Sequence, residues 1–518
     1  ENMNNMRVST NGGLVTENWF DLNASRYTAS SILQRMELLK TGYMGTLSLG
    51  WDNYLFLELT GRQERSSTLK DKSFFYPSAN LSFLFSNAFR MPAWWNHGKL
   101  RLSYGIVGNA PETYAANIIY EQGSDNGFTW NYVPSSWGNA NIRPEKKYEY
   151  EIGLESKFLN NRLGFDVSYY NNRVKDQILS TPQPSSSGVK YVLMNVGEVA
   201  NEGWDISVSA TPVLTKNFRW DLTANYGIYH NKVVKLAEGV PYLEISNIGG
   251  GGAKIQAVEG RPMGDIYVQM PQMNENGDYL VSDKGLYLNQ TDLQRVGNIN
   301  PDGVGGLFSS FSYKNIFLDF SIDFRIGGDV INEMYQYSTA SGLTPESLQY
   351  RDTEHGGLSY YYPGNNNASG TPVQVDPSSG AGPNGEIIYH DGIILPGVVA
   401  STGEKNTRII PAGYYYNQTY NWGTQSEQLT YRHSVFDNTY VKLRELTIGY
   451  QFPEKLTAKL GMTRLSVSIF GRNLFYFYKA LKNYDAESSV GTSWASQAVV
   501  GGSTTATRNF GVSLRASF

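Results

Sequence analysis

Gly203 to Ile228 reads GWDISVSATPVLTKNFRWDLTANYGI, and its period decides the fold. Trp204, Ile206, Val208 and Ala210 alternate with Asp205, Ser207, Ser209 and Thr211. After a turn at Thr215-Lys216-Asn217, Trp220, Leu222, Ala224, Tyr226 and Ile228 alternate with Asp221, Thr223, Asn225 and Gly227. Side chains on a strand point to opposite faces at period two, so each segment has one oily face and one wet face. The pattern recurs in Leu318, Phe320, Ile322 and Phe324 against Asp319, Ser321, Asp323 and Arg325. It returns in Leu465, Val467 and Ile469 against Ser466 and Ser468. The chain ends on it, with Phe510, Val512, Leu514, Ala516 and Phe518 against Asn509, Ser513, Arg515 and Ser517.

Working outward, the alternation predicts fourteen strands: 17–27, 43–51, 54–64, 74–86, 99–107, 146–158, 162–174, 203–214, 218–230, 306–313, 316–327, 439–451, 463–473 and 508–518. Most run to about 10–13 residues, enough to cross a hydrocarbon layer when tilted, whereas soluble sandwich strands average about 5–6. The links alternate as well. Asp52-Asn53, Asn160-Asn161, Thr215 to Asn217 and Lys314-Asn315 are short, and 87–98 and 452–462 are moderate. The links 108–145, 175–202, 231–305, 328–438 and 474–507 are long. Short periplasmic turns and long external loops mark an outer-membrane barrel, and soluble domains seldom carry such long loops. The expected fold is therefore all-β, a transmembrane antiparallel β-barrel with long extracellular loops. Trp51 and Tyr54, Trp94 and Trp95, and Tyr450 and Phe452 cluster near strand ends, as an interfacial aromatic girdle would.

Composition agrees. The 518 residues are 17% charged, against roughly 25% in an ordinary soluble chain, and include 10 Trp, 37 Tyr and 23 Phe. A mean hydropathy of -0.39 and the lack of any long apolar run exclude a bundle of transmembrane helices. A net charge of -4 argues against nucleic acid as a partner. With no Cys, disulfide frameworks and thiolate chemistry are excluded. The sequence opens at Glu1 without a recognisable leader, and is expected to be an internal or C-terminal piece of something longer.

Six stretches carry a family resemblance: KLRLSYGIVGN (Lys99 to Asn109), YEYEIGL (Tyr148 to Leu154), NEGWDISVSATP (Asn201 to Pro212), VGNINPDGVGG (Val296 to Gly306), YVKLRELTIGYQFP (Tyr440 to Pro453) and GRNLF (Gly471 to Phe475). In this order they resemble the SusC/RagA-type TonB-dependent outer-membrane transporters, and the terminal Phe518 resembles the family's assembly signal. The resemblance implies a 22-stranded barrel filled by an N-terminal plug, a TonB box that transmits force, and a SusD-like surface lipoprotein acting as a lid. On that plan residues 1–518 are the C-terminal portion of the barrel, about 14 of its strands, with the plug and first strands absent from this chain. The implied location is the outer membrane of a Gram-negative bacterium, in contact with its lipid.

Catalytic and metal chemistry find little support. His97, His230, His355, His390 and His433 lack metal-ligand spacing. IGGGGAK (Ile248 to Lys254) lacks the phosphate-loop spacing and is expected to be a flexible loop, while NENGD (Asn274 to Asp278) lacks the closing Glu of a calcium loop and is expected to be a turn. Glu149, Glu151 and Glu155 share one side of a strand and are expected to be hydrated wall residues rather than a glycosidase pair. No catalytic residue, cofactor or metal is expected.

The long loops carry the candidate contacts. The 328–438 segment is rich in tyrosine, including Tyr360, Tyr361, Tyr362 and Tyr415, with Trp422, set among Gly, Ser, Asn and Asp. Flat rings stack on sugar faces and amides bind hydroxyls, yet the same mixture suits a peptide, lid docking or plain loop packing. On the wet side Asp205, Asp221, Asp319, Asp323 and Arg325 are the expected lumen-facing residues. The expected function is active import of an oligosaccharide or oligopeptide with a SusD-like lipoprotein, energised by TonB. The alternatives are a passive porin or surface adhesin, or a soluble β-rich carbohydrate-binding protein.

Overall fold

A computed structural model describes residues 2–69, 73–125, 128–421, 430–502 and 506–518. Thirteen long strands follow one another in a single sheet whose order is the chain order. They are β1 (Lys40–Trp51), β2 (Leu55–Ser66), β3 (Ser73–Phe83), β4 (Trp95–Asn109), β5 (Glu145–Phe158), β6 (Leu163–Pro182), β7 (Tyr191–Leu214), β8 (Phe218–Lys235), β9 (Gly303–Tyr313), β10 (Ile316–Ile326), β11 (Tyr440–Gln451), β12 (Arg464–Lys479) and β13 (Asn509–Ser517). No helix among the described residues is long and apolar enough to cross a membrane.

Two compact units divide the chain. The first holds residues 1–156, 168–202 and 233–241; the second holds 157–167, 203–232 and 242–518. In the first, β1 to β4 pair antiparallel, beginning with Lys40 opposite Ser66 and Trp51 opposite Leu55. The β1–β2 turn is Asp52-Asn53-Tyr54; Asp52 and Asn53 take positive φ and the Tyr54 amide donates to the Trp51 carbonyl at 3.1 Å, which gives the loop the twist a hairpin needs. In the second, β8 to β13 pair antiparallel in the same way.

The expected strand at 17–27 is corrected. Asn2–Leu14 and Ser25–Glu37 instead form a separate two-stranded hairpin, and the residues between them turn. Asn18 sits at positive φ and the Asp21 side chain accepts from the Asn23 amide, two local turn devices that outweigh the apparent alternation there. Among the described residues the sheet still counts fourteen strands, because the two-residue strand Ser136–Trp137 pairs parallel with Tyr191 and Val192 at its margin. Several also reach further than the pattern suggested: β7 runs to 24 residues, so that the 175–202 link shrinks.

The register separates the two faces of the sheet. On β8, β9 and β10, Trp220 lies opposite Phe311 and Phe311 opposite Leu318, while Asp221 lies opposite Ser310 and Ser310 opposite Asp319. The apolar face has nothing packed over much of it. Val512 is 72% exposed, Ile469 58% and Ile448 46% in the second unit, and Leu47 and Ile152 are likewise exposed in the first. A soluble sandwich would bury these rows under a second layer; here each unit keeps a bare greasy face of the kind that faces lipid. The soluble alternative is set aside on this ground.

The buried core lies in the links instead. Ile248, Ala253, Ile255, Ile266, Val268 and Ile331 form one cluster, under a small sheet of Tyr242–Ile248, Ala253–Val258, Asp265–Val268 and Gln294–Asn298. Asp265 inside it is fully buried and is neutralised by Arg261 at 2.7 Å and Arg295 at 2.8 Å. The glycines of IGGGGAK make the turn of its first hairpin, Gly249, Gly250 and Gly251 all lying at positive φ. NENGD is a turn in which Asn274 Oδ1 accepts from the amides of Asn276 and Asp278.

Candidate functional site

Two arrangements in the second unit carry chemistry. The first lies on the polar face of the sheet. β11 is bulged at Arg444, with register shifts against β10 and β12. The extra residue lets Arg444 and Glu445, neighbours in sequence, both bond partners on the polar face. Arg444 Nε donates to Asp323 Oδ2 at 2.5 Å, and Arg472 Nε donates to Glu445 Oε2 at 2.8 Å. Lys442 is almost wholly buried and pairs with Glu487, which also takes Arg444. Tyr476 donates to Asp485 at 2.6 Å, and Lys479 Nζ to the Tyr484 carbonyl at 2.6 Å. The segment after β12 is thus bound to the polar face by a chain of charges.

Of the residues expected on the wet side, Asp221 accepts from Thr211 and pairs with Arg219 at 2.5 Å, and Asp319 accepts from Ser310 at 2.6 Å. Asp323 is held by Arg444 as described, and Asp205 lies beside Gly227 of the neighbouring strand. Arg325 is spent on the chain itself, donating to the carbonyls of Ile299 at 3.0 Å and Gly327 at 3.2 Å.

The second arrangement is an aromatic chamber within 287–433. Helix α1 (Glu333–Ala340) starts where the Asn332 side chain accepts from the Tyr335 amide and ends before Gly342, which takes positive φ. Helix α2 (Ala412–Tyr420) follows Pro411. Ala412, Tyr416 and Tyr420 recur every four residues and make one buried face, against which Tyr335 packs at 6.4 Å from Tyr420. Beside the helices, Leu358–Tyr361 and Tyr389–Ile393 pair in a small sheet. Together these elements border a half-open chamber of about 570 Å³ lined by Tyr287, Tyr335, Tyr350, Tyr415, Tyr416 and Tyr420 and by the aliphatic run Ile393, Ile394, Leu395 and Pro396.

Its polar groups are few. Arg432 Nε donates to His433 Nε2 at 2.7 Å, and the guanidinium lies 5.9 Å from the centre of the Tyr287 ring. Because that nitrogen accepts, the ring proton of neutral His433 belongs on Nδ1. Burial, with the Arg432 charge beside it, pulls His433 down to about 4, so the imidazole is neutral at pH 7. The ring stacks on Tyr420 at 5.7 Å. Burial pushes the Tyr416 phenol up to about 12, and raises those of Tyr415 and Tyr420 as well.

The expected contact residues separate on this geometry. Tyr415 lines the chamber. Tyr360 is only 1% exposed, stacks on Tyr389 at 5.5 Å and donates to Asp391 at 3.1 Å, so its ring supports the loop from within. Tyr362 packs edge-on against Tyr360 at 5.5 Å, and Tyr361 is half-buried in the same short strand. Trp422 lies outside the described residues. Sequence reasoning weighed His433 only as a metal ligand and assigned no role to Arg432 or Tyr287; the one signal for the Arg432–His433 pair is the YRH tripeptide at the end of a tyrosine-rich loop.

The family described as TonB dependent receptor-like, beta-barrel matches residues 7–253. The solved structure of the RagAB peptide transporter superposes with a TM-score of 0.68 at 17% identity, covering 97% of this chain and 50% of that one. The fold is the SusC/RagA-like β-barrel of the TonB-dependent receptors. Such barrels lie in the outer membrane of Gram-negative bacteria, which accounts for the bare apolar face. Among curated relatives, TonB-dependent receptor P3 of Formosa agariphila is 23% identical over 483 residues, 86% of this chain and 42% of the relative. TonB-dependent receptor SusC of Bacteroides thetaiotaomicron is 29% identical over 247 residues, 43% of this chain and 24% of the relative. This SusC/RagA-like chain thus spans less than half the length of the curated relatives it matches. Both relatives are named as receptors rather than as enzymes.

Proposed function

We propose that this chain forms wall and outer loops of an active importer that carries an oligosaccharide or oligopeptide across the outer membrane. The observation that carries the reading is the division of the sheet: one face bare and apolar, the other charged and continuous with folded loops that hold an aromatic chamber. A wall of that kind separates lipid from a polar passage, and flat rings with a few polar groups suit an oligomer bearing both CH-rich and hydrogen-bonding surfaces. The likeness to SusC and to the RagAB peptide transporter supports the same reading. In it, a SusD-like lipoprotein lid closes over the loops, and TonB acts through an N-terminal plug and barrel segment, carried on the same chain or another. Substrate is held by the loops and passes along the wet face when the plug is pulled; no bond is broken.

Uptake of a labelled oligomer by cells carrying the whole receptor tests this. Accumulation that collapses when the proton gradient is dissipated supports active import. Uptake indifferent to the gradient identifies a passive porin, and surface attachment without uptake identifies an adhesin.

A further inference from the structure

We infer that the tyrosine-lined chamber of residues 287–433 docks the free carboxyl end of a short apolar peptide. The assignment deepens the import reading, on which it rests for the peptide being cargo. Its first support is Arg432. Among the described residues no carboxylate pairs with this half-buried guanidinium; its Nε donates to His433, and the group lies 5.9 Å from the centre of the Tyr287 ring. An unpaired cation in apolar surroundings is costly, and a planar carboxylate offers it two parallel hydrogen bonds. A neutral His433 adds no second positive charge and keeps an Nδ1–H to donate. The second support is the wall. Leu358, Ile393, Ile394, Leu395 and Pro396 give an aliphatic lining, which fits the side chain of an apolar residue better than the hydroxyl-covered rim of an acidic sugar. Glu346, which also lines the chamber, offers an acceptor for a peptide N–H. The third support is strain. Tyr350 takes φ +65°, a conformation disfavoured for an aromatic residue, and its amide is pinned to the His355 carbonyl at 2.9 Å. Backbone held in this way clusters at ligand clamps. The volume of about 570 Å³ is that of a small-molecule site and admits a short terminal segment.

The test is equilibrium binding to the purified, detergent-solubilised receptor with three probes: N-acetyl-Leu-Phe with a free carboxyl, the same peptide as its amide, and trigalacturonate. The free acid is expected to bind at least about tenfold more tightly than the amide, the factor one charge-assisted hydrogen bond commands, and more tightly than trigalacturonate. Arg432→Gln is expected to abolish the acid-over-amide preference, and Arg432→Lys to restore part of it. Equal binding of acid and amide to the unaltered protein overturns the assignment without recourse to any variant. So does tighter binding of trigalacturonate, or no binding of any probe. Binding with the expected preference in a receptor that fails to import would instead leave the chamber standing and remove the import reading.

Discussion

Glu487, on the segment that follows β12, accepts a hydrogen bond from Arg444 Nη1 of β11 at 3.0 Å. The same carboxylate neutralises Lys442, whose ammonium is almost wholly buried. One acidic side chain therefore fastens a long link to the polar face of the sheet and bonds two cations at once, Arg444 being shared with Asp323.

Removing it has a definite cost. Glu487→Ala leaves Lys442 charged, buried and without its partner, and breaking a buried pair from one side costs about 3–5 kcal/mol. The expected outcome is a lower melting temperature of the purified barrel and faster proteolysis of residues 480–507. Glu487→Gln, which keeps acceptor capacity, is expected to fall between. Unchanged cleavage in Glu487→Ala would mean that the link is held elsewhere.

The apolar face makes a separate prediction. Ile448 and Thr447 are neighbours on β11 pointing to opposite faces, Ile448 outward and bare, Thr447 bonded to Glu445 at 3.2 Å. An arginine facing hydrocarbon costs about 2–4 kcal/mol at the midplane and less towards the girdle marked by Tyr450, whereas one facing the wet side has no such cost. Ile448→Arg is expected to reduce folding into liposomes strongly and Thr447→Arg much less, read by protease resistance. Equal penalties would contradict the division of the two faces.

How far the sequence revealed this protein depended on where the contrast lay. β7 to β10 were legible because each oily residue has a polar neighbour, so the period stands out. The hairpin Asn2–Leu14 was not, because Asn, Ser and Thr fill both of its faces and leave no period to read. The long reach of β6 and β7 escaped for the same reason: beyond the membrane both faces are wet. In the loops, composition marked the tyrosines but not their roles. Tyr360 and Tyr415 look alike in sequence; one is buried by a four-residue strand pairing and the other lines a chamber. Lys442 and Glu487 were invisible as a pair because a bulge and a 45-residue reversal bring them together.

That difference between the tyrosines can be measured. Tyr360→Ala deletes a fully buried ring and should destabilise the 328–438 loop by about 3–5 kcal/mol, whereas Tyr360→Phe keeps the ring and removes the hydroxyl with its bond to the Asp391 carboxylate, about 1.5–3 kcal/mol. Tyr415→Ala is expected to weaken ligand binding while sparing the loop more than Tyr360→Ala does. Hydrogen exchange of the Leu358–Tyr361 amides separates the two effects; identical protection in all three variants would show that the Tyr360 ring does not hold that strand.

His433 gives the loop a pH dependence whose sign follows from its environment. Burial and Arg432 lower the folded-state value to about 4, while the unfolded chain takes up its proton near the ordinary histidine value of about 6.5. Between those values the unfolded state binds more protons, so stability falls as the pH drops, by at most about 1.4 kcal/mol per unit. Above about 6.5 both states are neutral and this contribution is flat. The charged side chains that share the chamber with the ring are Arg432, which donates to it, and Glu346. The loop is therefore expected to become more protease-sensitive from pH 6.5 towards 4, and His433→Asn, which keeps a polar side chain but cannot titrate, should flatten that slope. A slope unchanged in His433→Asn would assign the titration to another group.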